Sequence, residues 1–259
     1  MKVSLSMTWR TRRSPAYRGR VATTEITKQR VGARRSTVAL KALMAVSGLL
    51  MVGYLLLHMY GNLKVFSGQV KFDEYSHHLR TLGEPILPYE GALWIIRVVL
   101  LAAIIAHVYS AVVLTIRDRK ATRVGSGPRY KSKQNKRGFQ RTYASFTLRW
   151  GGVIIFLFII FHLLNLTTND IAPGGASPSP YVRVMNTFSE WCMVLAYTLA
   201  LLAVGFHLRH GVWAAGMTLG ANTSVKARRN LNVLAYAVAG IITLGFLVPP
   251  FAIFFGWVG

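Results

Sequence analysis

The chain has 259 residues, of which 53% are apolar and only 15% charged, with 31 Lys and Arg against 8 Asp and Glu. Soluble domains carry roughly 25% charged residues, so this shortage of solvating side chains, and long stretches with almost none, argue against a water-soluble globule. The lone cysteine, Cys192, excludes an intrachain disulfide and any four-cysteine iron–sulfur or zinc centre.

Residues 1–38 form a basic tail with ten Lys/Arg, from Lys2 to Arg35, against the single acid Glu25. A bilayer's hydrocarbon core is about 30 Å thick and a helix rises about 1.5 Å per residue, so about 20 apolar residues cross it. The first such run is Leu40 to Tyr60. The connection after it, Gly61 to Gly91, is expected to hold a short helix around Phe72 to Leu82, interrupted by Pro85 and Pro88. Ala92 to Ile116 is the second run. The connection from Arg117 to Arg149 carries eleven Lys/Arg and one acid, Asp118. Trp150 to Thr167 is the third run. Pro173, Gly174, Gly175, Pro178 and Pro180 predict an irregular loop after it. The fourth run, Glu190 to Trp213, begins near Cys192, read as a small core residue. A short connection with Lys226, Arg228 and Arg229 leads to the fifth run, Leu231 to Trp257, in which Pro249 and Pro250 predict a kink. The expected fold is all-α: a basic tail (1–38) and an integral membrane bundle of five transmembrane helices (39–259).

The basic connections alternate with poorer ones. The first connection has three Lys/Arg against four acids, and the third sets Arg183 beside Asp170. Short basic loops stay in the cytoplasm, which places the N-terminus inside and the C-terminus outside. No signal peptide is read; a transit peptide is the lesser reading of the tail. The basic surface suits anionic lipid or an acidic partner. Nucleic acid is not expected, because the run from Arg129 to Arg141 shows no nucleic-acid-binding motif.

Ionisable groups inside a membrane are costly and mark functional sites. Of seven histidines, His77 and His78 fall in the first connection. Depth separates the rest. His58 lies about 18 residues beyond the inner start of its helix, or about 27 Å along it. By the same count His162 is in the outer half, and His107 and His207 are towards the inner side. An outer pair, His58 with His162, and an inner pair, His107 with His207, match bis-histidine ligation of two b haems in a helical bundle. A lone histidine is more often a hydrogen-bonding core residue. Four on successive helices at paired depths favour ligation. His210, three residues after His207, is the rival inner ligand. No Cys-x-x-Cys-His occurs, so covalent haem attachment is not expected. Arg97 and Arg209 suit either a haem propionate or the headgroup layer. Gly48, Gly53, Gly151, Gly152, Gly240 and Gly245 are expected to permit close helix approach.

Together these residues resemble the single-chain, five-helix, di-haem cytochrome b family of succinate dehydrogenase and fumarate reductase. The likeness is strongest to the actinobacterial succinate dehydrogenase anchor. It rests on LLLHMYGNLKVF at His58, GEPILPYEGALWIIRVVLL and AHVYSA up to His107, FHLLNLT at His162 and FHLRHGVW at His207. The last is similar to the family's His-x-x-x-Gly pattern through His207 and Gly211, which favours His207 over His210. The resemblance implies a multi-pass subunit of the bacterial cytoplasmic membrane. It would anchor a flavoprotein and an iron–sulfur subunit, bind two b haems and pass electrons inner to outer and on to menaquinone. Glu84, in GEPILP, is then the favoured outer carboxylate for quinone protonation, ahead of Glu90 and Glu74. Two rival functions stand beside it, a di-haem cytochrome b of another membrane oxidoreductase and a haem-free transporter or scaffold.

Overall fold

The computed structural model describes residues 36–123 and 138–258, with side chains over 36–119 and 148–258. Most of the basic tail and the middle of the Arg117–Arg149 connection lie outside the described residues. Among the described residues there are seven α-helices and no strand: α1 (Thr37–Leu63), α2 (Gln69–Thr81), α3 (Gly91–Arg123), α4 (Gly138–His162), α5 (Pro180–Ser189), α6 (Trp191–Thr218) and α7 (Val225–Phe254). Five of them, α1, α3, α4, α6 and α7, are long and apolar enough to cross a membrane. They expose large aliphatic side chains, such as Leu57, Val98, Ile105, Leu199 and Leu244. Water would penalise that surface and lipid would not. The chain is a multi-pass membrane protein.

The ends of the helices follow local chemistry. Ser36, Ser179 and Ser224 cap α1, α5 and α7, each side chain accepting a backbone N–H three residues on. The last cap explains why α7 begins at Val225, taking Lys226, Arg228 and Arg229 into its first turns rather than leaving them in a loop. At the other end, Gly256 at φ 71° closes α7, with Trp257 N–H donating to Ala252 O.

Two expectations need correction, on the third connection and on Cys192. The Pro- and Gly-rich third connection is not wholly irregular, because Pro180 occupies the first helical position of α5, where its missing N–H costs nothing. The fifth run, as expected, is interrupted by no loop: α7 carries Pro249 and Pro250 inside the helix and ends at Phe254. Cys192 is exposed, in the first turn of α6 on a face away from the core.

The bundle is organised around α1 and α6. The helix α1 packs on α3, α6 and α7, and α6 packs on α4 and α7 as well. At one end of the bundle, the turn Lys64–Ser67, α2, α5, the start of α6 and the end of α7 share a core of Val65, Phe72, Val184, Phe188, Val194, Tyr197 and Ile253. Asp73 of α2 locks this cap. It accepts the Ser179 hydroxyl at 2.6 Å and the Tyr181 amide at 3.1 Å, both at the start of α5. Midway along, Val204, Leu208, Ala239 and Ile242 seal α6 against α7. Gly205 permits this closeness, since a Cβ there would meet Thr243 Oγ1 at 2.5 Å. Gly245 plays the same part for Met59 of α1, whereas a Cβ added at Gly53 or Gly240 would meet open space.

Candidate intramembrane histidine site

Two histidine pairs form inside the bundle. The rings of His58 (α1) and His162 (α4) lie 5.7 Å apart, centre to centre, at 84°. Those of His107 (α3) and His207 (α6) lie 6.2 Å apart at 60°. The helix pairs α1–α4 and α3–α6 are not among the closely packed ones, so each histidine pair spans the bundle rather than a tight helix seam. His210 does not join the inner pair. Its Nδ1 lies 3.3 Å from Phe206 O and its Nε2 3.4 Å from Arg209.

The four rings differ in what surrounds them, and at His107 the surroundings show which nitrogen carries a proton. His107 Nδ1 is 3.1 Å from Met44 O, and a carbonyl only accepts, so that nitrogen bears the hydrogen. Ser47 Oγ flanks it at 3.4 Å while donating to Leu43 O. Gly48 makes room on the same side; a Cβ there would sit 3.3 Å from His107 Cε1. His162 Nδ1 is 3.4 Å from the Tyr197 hydroxyl. His58 is stacked on Tyr54 at 5.4 Å and flanked by Phe246. His207 Nδ1 is buried with no hydrogen-bond partner, a costly state for a ring nitrogen in an apolar bundle.

This donor set fits haem. Two imidazoles on opposite faces of one iron place each ligating nitrogen about 2 Å from the metal, and each ring centre about 1 Å beyond it. Their centres are then about 6 Å apart. Both pairs have that separation. Among the described residues no group of three or more His, Cys, Asp or Glu side chains is placed to hold a bare metal ion. A pair of imidazoles suits a metal whose other ligands come with a macrocycle.

The remaining expected site residues lie outside these pairs. Arg97 is ion-paired with Glu90 at 3.4 Å, which also takes Arg80 at 3.2 Å, and its guanidinium lies over Trp94. Glu84 and Glu74 are exposed, as are His77 and His78. Arg209 lies over the Tyr236 ring at 4.5 Å and donates to Asn232, which ties it to α7.

A set of polar residues beside the outer pair is not evident from the sequence. After His162 the helix widens into one π turn, Leu163–Thr167. Such turns concentrate at functional sites. Asn165 in that turn is fully buried. It accepts from Tyr197 at 2.7 Å and donates to Ile171 O at 2.8 Å and Thr187 Oγ1 at 3.2 Å. Arg183 of α5 holds the end of the turn by donating to Thr167 O. The one sequence signal was an asparagine three residues after a histidine inside an apolar run.

No curated protein and no solved structure matches the chain. A family model does: residues 128–246, somewhat under half of the chain, match the succinate dehydrogenase/fumarate reductase transmembrane subunit family, a stretch that includes His162 and His207 and supports that family.

Proposed function

We propose that this chain is the membrane-anchor cytochrome b subunit of a succinate dehydrogenase. It resides in a bacterial cytoplasmic membrane with its N-terminus inside, and it carries two b haems. The observation that carries the reading is the two intramembrane histidine pairs, 5.7 Å and 6.2 Å between ring centres, on four different membrane-crossing helices. The family match over α4, α5, α6 and the greater part of α7 points the same way. His58 with His162 would hold one haem, and His107 with His207 the other. Bound haem supplies reversible one-electron chemistry between an iron–sulfur partner and menaquinone.

The chain's own residues do the positioning. The Met44 carbonyl orients His107 with Nε2 left to ligate. The apolar helices exclude water around both pairs, and the α2–α5 cap covers the end nearer His162. Arg97 is assigned to the periphery of the outer haem, where it shares Glu90 with Arg80. Glu84, exposed before α3, is the carboxylate that takes up a proton for the quinone. The flavoprotein and iron–sulfur subunits dock on the basic inner face.

Purification of the intact complex tests this. The expected result is a reduced-minus-oxidised spectrum of low-spin b haem, two haems per chain, and co-purifying flavoprotein and iron–sulfur subunits. Absence of the b-haem band overturns the haem assignment. Co-purification with hydrogenase or formate dehydrogenase subunits instead overturns the succinate dehydrogenase assignment.

A further inference from the structure

The hydrogen bonds beside His162 have a direction that can be read without choice. Ile171 O only accepts, and Asn165 Nδ2 donates to it at 2.8 Å and to Thr187 Oγ1 at 3.2 Å. The amide is thereby fixed with Oδ1 towards Tyr197. An amide oxygen only accepts, so the single Tyr197 O–H is spent on it, at 2.7 Å. The phenol oxygen therefore faces His162 as an acceptor, and His162 Nδ1, at 3.4 Å, bears the proton. What remains on the ring is the Nε2 lone pair.

The packing supports this direction. Tyr197 is buried, and its ring is clamped edge-on by Phe158 at 5.0 Å and Phe188 at 4.9 Å. The π turn brings Asn165 into line with it, although Asn165 is only three residues from His162 on the same strand of helix. None of the other three paired histidines has such an arrangement. His107 Nδ1 is met by a backbone carbonyl, with the Ser47 hydroxyl at 3.4 Å, and His207 Nδ1 by nothing.

We propose that Tyr197, aligned by Asn165 and Thr187, is a positioning residue that sets His162 in the Nε2-ligating tautomer and tunes the outer haem alone. This rests on the haem reading above. A hydroxyl accepting from Nδ1–H makes imidazole a stronger donor to iron and favours the ferric state; outer partners of this kind are typically worth about 10–100-fold in affinity. Thr187 lies on α5 and Asp73 anchors α5, so the chain of contacts extends from His162 to the cap.

The test uses Tyr197→Phe, which keeps the clamped ring, and Thr187→Val, which removes only the far acceptor. Both are examined in the purified complex by redox titration and by release of haem to excess apomyoglobin. The outer component is identified as the one that His162→Ala removes. Tyr197→Phe should raise the midpoint potential of that component, leave the other unchanged, and speed its haem release by about 10-fold. Thr187→Val should shift it in the same direction by less. Unchanged potential and release in Tyr197→Phe, or equal shifts in both components, overturn the proposal. If Tyr197→Phe fails to assemble, Thr187→Val decides, and an unshifted outer component overturns it. Wild-type protein with no b haem overturns the function reading itself, a result distinct from any of these.

Discussion

Asp73 offers a direct measure of how firmly the cap is held. It accepts two hydrogen bonds from the first turn of α5, from Ser179 Oγ at 2.6 Å and Tyr181 N at 3.1 Å. Bonds to a charged acceptor contribute about 1.5–3 kcal/mol each when buried. Asp73 is only half-buried, so solvent screening reduces the pair to about 2 kcal/mol in total. Asp73→Ala should therefore raise the opening equilibrium of α5 by about 30-fold, at 1.4 kcal/mol per decade. Asp73→Asn keeps one accepting oxygen and loses the charge, and about 5-fold is expected from half that energy. Hydrogen exchange followed by mass spectrometry on detergent-solubilised protein reads this directly. Peptides covering Arg183 to Phe188 should exchange faster, and peptides from the middle of α1 should not. If α5 protection in Asp73→Ala stays within about twofold of wild type, apolar packing by Val184 and Phe188 holds the cap and the latch argument fails.

Other substitutions probe the interior. His58→Ala and His162→Ala should each remove the same one of two b-haem spectral components, and His107→Ala and His207→Ala the other, whereas His210→Ala should retain both. Loss of both components in every variant would leave the pairing unsupported. Gly205→Ala places a methyl against Thr243 Oγ1 and should cost about 1–3 kcal/mol in thermal unfolding of the solubilised protein. Thr243→Ala in the same chain should recover most of that loss; no recovery would mean that the strain lies elsewhere.

Much of this architecture was legible because a bilayer imposes a length. Runs of apolar residues marked the five membrane-crossing helices to within a few residues at most ends. The larger misses are charged turns continuous with a helix, as with Lys226 to Arg229 at the start of α7. Helix α5 was hidden because the prolines and glycines just before it signal a loop until Pro180 is recognised as a helix start. The pairing of His58 with His162 and His107 with His207 followed from counting residues along antiparallel helices. Periodicity gave no means of finding Tyr197. Its role depends on a π turn that breaks the 3.6-residue register after His162, and on Thr187 from a separate helix. The placement of Cys192 failed because it falls in the first turn of α6, where the side chain is exposed.

The contact between α1 and α6 has a mechanical consequence. One contributes His58 to the outer pair and the other His207 to the inner pair, and the two helices pack directly on each other. They act as a common girder, with α3 and α4 carrying the opposite member of each pair. Breathing of the cap, or of α3 and α4, changes each pair internally while the vertical offset between pairs stays fixed by the girder. With a haem at each pair, as proposed, the exponential fall of tunnelling rate with separation would make this contact the one that sets the transfer rate between the two levels.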